Sequence, residues 1–192
     1  NNAQDQLGQI MKGGRLVVFG DVGQTFMYGG KGGEVYIMGN TAGRPLINAV
    51  GHPRVVINGT CLDYLAESFM AGNPLKGGGF VVLNGIEFDE KKGRLLDQPT
   101  PYPSANLFSL DSGGAIYLRD PHAKVSSGQL NGGEIVDMQQ VDWDLILPYL
   151  KQNEALFGIS ITDDLLTVDG KIKDYAEVYR KVQAVKLDVL TQ

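Results

Sequence analysis

Few side chains in this sequence are of types that do chemistry, and they are scattered along the chain. His52 and His122 are the only histidines, and Cys61 is the only cysteine. Asp111, Asp120 and His122 would form a metal site only if the fold brought them together, because metal ligands must converge. We interpret both histidines more simply as solvated residues at corners of the fold. We expect Cys61 to be a small buried side chain, since no neighbour in sequence would lower its pKa.

A glycine-rich stretch at residues 29–33 raises the question of phosphate binding. A phosphate-binding loop needs a lysine followed by Ser or Thr and then a helix. Lys31 is instead followed by two glycines and a short apolar run typical of a strand. We therefore interpret the stretch as a corner between strands. Pairing Ser126 or Ser127 with His122 as nucleophile and base is a weaker hypothesis still.

Composition excludes several classes of protein. The 192 residues include 26 glycines, about twice the usual share of roughly 7 per cent, and 43% of residues are hydrophobic. The 17 Lys and Arg against 22 Asp and Glu give a net charge of −5, which argues against a nucleic-acid partner. Apolar runs are far shorter than the roughly 20 residues that cross a bilayer. We expect no membrane association, and a single cysteine is compatible with a cytoplasmic protein.

The glycines mark an internal repeat. Residues 13–20 recur 19 positions later as residues 32–39, and again as residues 78–85 and 113–120. Residues 53–59 form a degenerate copy, in which Pro53 and Arg54 replace the double glycine, and Asp137 breaks the pattern in a last copy that starts at Gly132. The predicted repeat corners are Gly13, Gly14, Gly20, Gly32, Gly33, Gly39, Gly59, Gly78, Gly79, Gly85, Gly113, Gly114, Gly132 and Gly133.

Apolar residues alternate within each copy, which is the period of a strand with one buried face, and the glycines are expected to supply positive φ at the corners. Aligning the copies predicts three rows of stacked side chains. The first row is Leu16, Val35, Val55, Val81, Ile116 and Ile135, the second is Val18, Ile37, Ile57, Leu83 and Leu118, and the third is Leu7, Phe26, Leu46 and Leu65. A period of 19 or 20 leaves no room for a helix in each copy. We therefore predict an all-β fold, a right-handed parallel β-helix of about six coils over residues 1–138, rather than a β-sandwich.

The remaining segments predict insertions and a tail. Residues 73–76 and the Pro-rich residues 87–106 interrupt the period as loops, and the longer one is a candidate binding face. Residues 139–192 predict a C-terminal α-helical cap on the last coil, with helices over residues 145–157 and around residues 172–182, and Pro148 in a first turn. Lys186 lies among the basic residues of this tail. Trp143, with Tyr149 and Phe157, is expected to seal the cap rather than hold a cofactor. The first coil has no such plug, so residues outside this sequence or another chain must cover its edge.

The amino-acid sequence of the repeat resembles that of a known family. Residues 2–8 read Asn-Ala-Gln-Asp-Gln-Leu-Gly, and Met-Lys-Gly-Gly, Leu-Val-Val and Gly-Asp follow up to residue 21. Residues 39–43 and 70–72 of the later copies show the same resemblance. Over residues 1–138 the chain resembles the Gly-motif (GXGXG) repeat domain at the C-terminus of the glutamate synthase large subunit, in its stand-alone form. One of the subunits of formylmethanofuran dehydrogenase shares this repeat.

The resemblance implies a non-catalytic structural or assembly subunit or domain of a glutamate synthase-type oxidoreductase, serving glutamate biosynthesis and nitrogen assimilation. It implies no catalytic, cofactor-binding or metal-binding residue on this chain, with the FMN and the iron–sulfur cluster on partner subunits. The expected partners are the amidotransferase and FMN-binding domains or subunits. Three alternatives stay open, namely a subunit of a formylmethanofuran dehydrogenase-like complex, a free-standing enzyme with a groove beside the Pro-rich insertion, and a homo-oligomeric scaffold.

Overall fold

The computed structural model describes residues 2–185 of the chain. The strands in this range are β1 Arg15–Val18, β2 Glu34–Ile37, β3 Arg54–Ile57, β4 Phe80–Leu83, β5 Ile86–Asp89, β6 Arg94–Asp97, β7 Ala115–Arg119, β8 Gly133–Asp137, β9 Thr167–Val168, β10 Lys171–Ile172 and β11 Tyr179–Ala184. The helices are α1 Gln140–Phe157 and the short α2 Tyr175–Val178. Single 3₁₀ turns cover Pro74–Lys76 and Ser127–Gln129, and a π-helical turn covers Ile161–Leu165.

The prediction of an all-β, right-handed parallel β-helix with a helical cap is wrong. The chain folds as a mixed α/β structure, in which a seven-stranded mixed sheet is accompanied by two two-stranded sheets and the 18-residue helix α1. The order in the large sheet is β1-β2-β3-β4-β7-β11-β8, and β11 runs antiparallel to both of its neighbours. The physical reason lies in the tail, because residues expected to form a helix supply β11 instead and separate the last two copies of the repeat.

The register of the five parallel strands agrees with the predicted aliphatic rows. Leu16 pairs with Val35, Val35 with Val55, Val55 with Val81 and Val81 with Ile116. The second row is aligned in the same way as far as Leu118. The first row is then interrupted, because Val182 of β11 lies between Ile116 and Ile135.

Both faces of the large sheet are buried, although the alternation predicted only one buried face. One face carries the aliphatic rows and packs against turn residues such as Phe26 and Leu65. The other face carries Tyr36, Val56 and Tyr117 and packs against α1. Parallel strands are typically covered on both sides, so the strands read as nearly continuous apolar runs.

The turns that precede the strands have an unusual backbone that the sequence did not reveal. Three residues in each turn, spaced two apart, take positive φ. They are Gln6, Gly8 and Ile10 in the first copy, followed by Thr25, Met27 and Gly29, by Arg44, Leu46 and Asn48, by Tyr64, Ala66 and Ser68, and by Asn106, Phe108 and Leu110. Since most of these are not glycine, neighbouring copies have to hold the turns in this conformation.

The third predicted row is wrong by one residue at one position. The N–H of Leu46 donates to the carbonyl of Phe26, and the N–H of Ala66 donates to the carbonyl of Pro45. Pro45 therefore takes the place between Phe26 and Leu65 that the alignment assigned to Leu46. Both residues are buried, so the apolar character of the row is kept.

The long insertion is a hairpin followed by a Pro-rich loop that packs inward. Strands β5 and β6 pair antiparallel, and Tyr102 in the loop is fully buried. Asp97 at the end of β6 binds the buried Arg119 guanidinium at 2.7 Å, and the same guanidinium donates to the carbonyl of Leu165 at 2.8 Å. The insertion is thereby fastened to the sheet. The shorter insertion forms the 3₁₀ turn Pro74–Lys76.

Helix α1 lies across the sheet rather than over the last repeat. Near its start, Asp142 accepts hydrogen bonds from the Tyr117 hydroxyl and the Lys181 ammonium, each at 2.8 Å. At its end, Phe157 packs edge-to-face on Phe19, with ring centroids 5.2 Å apart. Eighteen helical residues span about 27 Å, which matches the roughly 24 Å from β11 to β1 at the usual strand spacing. The helix covers a face and leaves the end beside β1 uncovered.

The tail differs from its prediction in three further respects. Pro148 lies in the interior of α1 at an exposed position, because the helix begins at Gln140. The second predicted helix is reduced to the four residues of α2. Trp143 stacks on Tyr175, while Tyr149 packs on Phe80 of β4, so the aromatic residues fasten α1 to several elements. Residues 186–192, which include Lys186, lie outside the described residues.

Four buried polar side chains fasten α1 and β11 to the sheet. The amides of Asn58 and Asn153 exchange two hydrogen bonds, of 2.8 and 2.9 Å. Asn84 donates to Asn58 at 2.9 Å, and the Tyr179 hydroxyl donates to Asn84 at 2.8 Å. A buried amide left unpaired costs about 1–3 kcal/mol. The network therefore favours one placement of the helix and of β11 over any that is shifted along the sheet.

We expect Asn153→Leu to lower the free energy of unfolding by about 1–3 kcal/mol, because it removes both hydrogen bonds to Asn58 while keeping the number of non-hydrogen side-chain atoms. Urea unfolding followed by circular dichroism measures the loss. Lys151→Ala, an exposed change in the same helix, is the matched control and should stay close to wild type. Equal stability of the two variants would contradict the proposed role of the network.

Candidate assembly interface

A ladder of carboxamide and carboxylate side chains joins consecutive repeats at one corner. The Oδ1 atom of Asn2 accepts from the N–H of Asp21, Asp21 accepts from Asn40, and Asn40 accepts from Thr60, at distances of 2.7–3.0 Å. Asp5 accepts from the N–H of Gln24 in the same manner, at 2.8 Å. Each repeat therefore offers acceptors to the repeat that follows it.

The predicted corner glycines meet two different geometric demands. Positive φ occurs at Gly14, Gly33, Gly85, Gly114 and Gly132, as expected. Other corners have ordinary φ but no room for a side chain. A Cβ on Gly39 would lie 2.2 Å from Asp21 Oδ1, and one on Gly59 would lie 2.3 Å from Asn40 Oδ1. A Cβ would also come within 3.0 Å of a neighbour at Gly32, Gly78, Gly79, Gly113 and Gly133, whereas Gly13 has open space around it.

Strand β1 is an edge of the large sheet. It pairs with β2 alone among the described residues. In the next four repeats, those of β2, β3, β4 and β7, the matching residues are buried, and Val35 and Tyr36 are 0% and 1% exposed. Their counterparts Leu16 and Val17 in β1 are partly exposed. The row of aliphatic side chains that begins at Leu16 is therefore partly exposed to solvent at strand β1.

Main-chain groups of the first repeat also face this open side. In the second repeat the N–H groups of Met27 and Glu34 donate back to the first repeat, to the carbonyls of Leu7 and Gly14. Their counterparts, Gly8 and Arg15, have no hydrogen-bond acceptor within residues 2–185. The N–H of Asp5 corresponds to that of Gln24, which donates to the first repeat. It likewise has no hydrogen-bond acceptor within residues 2–185. Unpaired strand groups of this kind invite another chain to pair with them.

An apolar groove follows the same edge. Its volume is about 540 Å³, and it is lined by Ala3, Leu7, Leu16, Val17, Val18 and Phe19. Phe19 is 59% exposed and Ile10 close by is 50% exposed. We define the open edge as this groove together with the outward-facing main chain of β1 and of residues 5–8. It combines apolar side chains with directional hydrogen-bonding groups, as a buried repeat-to-repeat contact does.

The three residues considered for a metal site are held apart in separate structural roles. Asp120 accepts from the N–H groups of Lys124 and Val125 and from the Arg180 guanidinium. His122 lies 3.8 Å from Asp169. Among residues 2–185, no three His, Cys, Asp or Glu side chains converge in a way that could hold a metal ion.

Asp111, the third of these residues, is a carboxyl group in an unfavourable environment. One oxygen accepts the N–H of Phe69, while the other is buried without a hydrogen-bond donor. Burial raises the pKa of Asp111 from its ordinary value to about 8, and the charge of Glu67 adds to the increase. Burial therefore favours the protonated form of this carboxyl group in the folded chain.

Cys61 is buried, as predicted. Burial raises the pKa of its thiol well above the ordinary range, so the reactive thiolate is disfavoured. The histidine of the third repeat corner, His52, lines a shallow groove with Arg54 and Tyr149. Arg54 donates to the Tyr149 hydroxyl at 2.6 Å and lies over the Phe80 ring, so it holds α1 against the sheet. Lys31 leads into β2 by donating its N–H to the carbonyl of Met11, as expected for a corner.

Sequence reasoning missed the Asn and Asp ladder and the two buried asparagines of the network. A signal for the ladder was present, because Asp21, Asn40 and Thr60 each follow a glycine at the same place in the repeat. Asn58 and Asn84 each precede a glycine directly after a strand. Their common position is visible in the sequence, but their partners Asn153 and Tyr179 come from the tail and share no pattern with them.

Comparison with known proteins adds no assignment, because no family model, no curated protein and no solved structure matches the chain. Within residues 2–185, none of the helices has the length and apolar character needed to cross a membrane.

Substitution of Gly39 and of Gly13 by alanine should have opposite consequences. Gly39→Ala is expected to lower the free energy of unfolding by about 1–3 kcal/mol, because the new Cβ collides with Asp21 and forces the ladder apart. Gly13→Ala meets no atom within 4 Å and is expected to be neutral or to stabilise by up to about 1 kcal/mol. Thermal unfolding measures both. If Gly39→Ala were as stable as Gly13→Ala, close approach would not explain this corner.

Asp111 is expected to make stability fall as pH rises. Its carboxyl group binds a proton more tightly in the folded chain than in the unfolded chain, so this contribution is complete below about pH 4 and is lost as pH approaches 8. Asp111→Asn should remove this loss, so the melting temperature of wild type minus that of the variant should decrease between pH 4 and 8. Asp137→Asn removes an exposed carboxylate and is the matched control. A constant difference over this range would contradict the buried-carboxyl interpretation.

Proposed function

We propose that this chain is a non-catalytic structural or assembly subunit or domain of a glutamate synthase-type oxidoreductase. In this proposal it holds the amidotransferase and FMN-binding parts together, and the FMN and the iron–sulfur cluster belong to those parts. The observation that carries the proposal is the open edge, which presents apolar side chains and main-chain groups that the next four repeats, those of β2, β3, β4 and β7, bury. The resemblance of the repeat sequence to the glutamate synthase repeat domain supports this type of assembly over others.

The roles of the polar side chains are compatible with a scaffold. Asp142, Lys181 and Tyr117 bind one another in the interior. Asp120 and Arg180 bind each other at 2.8 Å. These groups hold elements of the fold in place.

Affinity capture from the native host tests the proposal. The tag belongs at the C-terminus, because Ala3 lines the open edge and an N-terminal tag would obstruct it. We expect the captured fraction to contain a flavoprotein with FMN absorbance and to form glutamate from glutamine and 2-oxoglutarate in the presence of a reductant.

A pair of variants links this result to the open edge. Leu7→Glu places a charge in the groove and should release the flavoprotein, whereas Leu62→Glu changes a leucine that is 61% exposed elsewhere on the surface and should retain it. Recovery of the wild-type chain alone, without a flavoprotein, would contradict the proposed function.

A further inference from the structure

We infer that the open edge binds an extended segment of a partner polypeptide, which lies parallel to β1 and carries the same pattern of residues as one repeat of this chain. This inference rests on the proposed assembly role and specifies what the partner must present. It concerns the groove lined by Leu7 and Leu16, the outward-facing main chain of β1, and the turn at residues 5–8.

The direction of the segment follows from the pairing inside the molecule. Four consecutive strand pairs, from β1–β2 to β4–β7, are all parallel and in register. The outward main-chain groups of β1 could pair in either direction, since β7 pairs parallel with β4 and antiparallel with β11. The parallel direction is inferred from the four internal pairs and from the turn that precedes β1. A partner strand in this register continues the same ladder by one step.

The turn specifies the partner further. Within the molecule, each turn with alternating positive φ binds the equivalent turn of the next repeat, as in the bond from Met27 to Leu7. The outward N–H groups of Asp5 and Gly8 require acceptors at the positions that Asp5 Oδ1 and the Leu7 carbonyl occupy for the second repeat. The partner segment must therefore include a turn as well as a strand.

A second copy of this chain fits less well. Two identical edges that pair around a two-fold axis run antiparallel, an arrangement that a strand of this sheet can accept, as β7 does from β11, but that would also place the turns antiparallel. Among the described residues, no turn of this kind pairs with an antiparallel counterpart. The apolar requirement is also specific, because the partner needs aliphatic side chains two residues apart to continue the rows that end at Leu16 and Val18.

A synthetic peptide copying residues 21–40 tests the inference without any flavoprotein. It carries one turn and one strand of the repeat and is used with blocked termini and a fluorescent label at its N-terminus. We expect saturable binding to the purified chain by fluorescence anisotropy. Hydrogen exchange should slow at the amides of Gly8 and Arg15, which face the open edge.

Two proline peptides test the register. In the chain, Glu34 and Met38 donate to the preceding repeat, so the N–H of Val35 faces the following one by alternation. The peptide with Val35→Pro should bind at least about tenfold more weakly than the peptide with Tyr36→Pro, whose missing N–H faces away from the chain. Equal affinity of the two would overturn the parallel register.

The protein variants separate this inference from the proposed function. Leu7→Glu should weaken peptide binding by at least about tenfold and Leu62→Glu should leave it unchanged, with thermal unfolding confirming that both are folded. Absence of binding by the wild-type chain would overturn the inference even if a flavoprotein is captured from the host. A wild-type dimer that Leu7→Glu converts to a monomer in sedimentation would identify a second copy as the occupant and would also overturn it.

Discussion

Main-chain hydrogen bonds between consecutive repeats are the interaction on which this structure depends. They place the aliphatic residues of five parallel strands in register, from Leu16 to Ile116, and they hold the intervening turns in a backbone conformation that costs about 1–2 kcal/mol for each non-glycine residue. An isolated repeat would not keep such turns. The repeats are therefore stable only against one another, and a repeat with one neighbour is less well determined than a repeat with two.

Buried polar groups decide how the rest of the chain covers this sheet. Apolar packing alone would allow α1 to slide or rotate, because it is not directional. The pair formed by Asn58 and Asn153, and the buried ion pair of Asp142 and Lys181, fix the helix at two points far apart along its length. Burying the ion pair adds little net stability, but breaking it would leave an uncompensated charge. Specificity of placement is thus what these groups contribute.

The local pattern of the sequence contains the strands and their register but not the fold class. Alternating apolar residues and a fixed repeat length predict that Leu16, Val35 and Val55 align, because both signals are local. The error concerns the tail. The spacing of Tyr179 and Val182 fits one face of a helix, but the apolar residues of this segment also fit a strand. The segment forms strand β11, which lies between β7 and β8 and pairs with both. A contact so distant in sequence has no local signature.

The same limit applies to the candidate interface. Sequence alone predicts that the edge of the first repeat needs a cover, and the structure describes what is exposed there. The two ends of the large sheet differ in a way that the repeat does not predict. Towards one end, β11 inserts antiparallel between β7 and the edge strand β8 and is held by Arg180 and Tyr179, so the run of parallel repeats stops at β7. At the other end β1 keeps the geometry of an internal repeat, and the turn before it is of the kind that binds its counterparts in the same direction inside the molecule. Directional edges of this kind favour a heterologous contact over a two-fold one, which is the property required of a subunit that joins unlike partners.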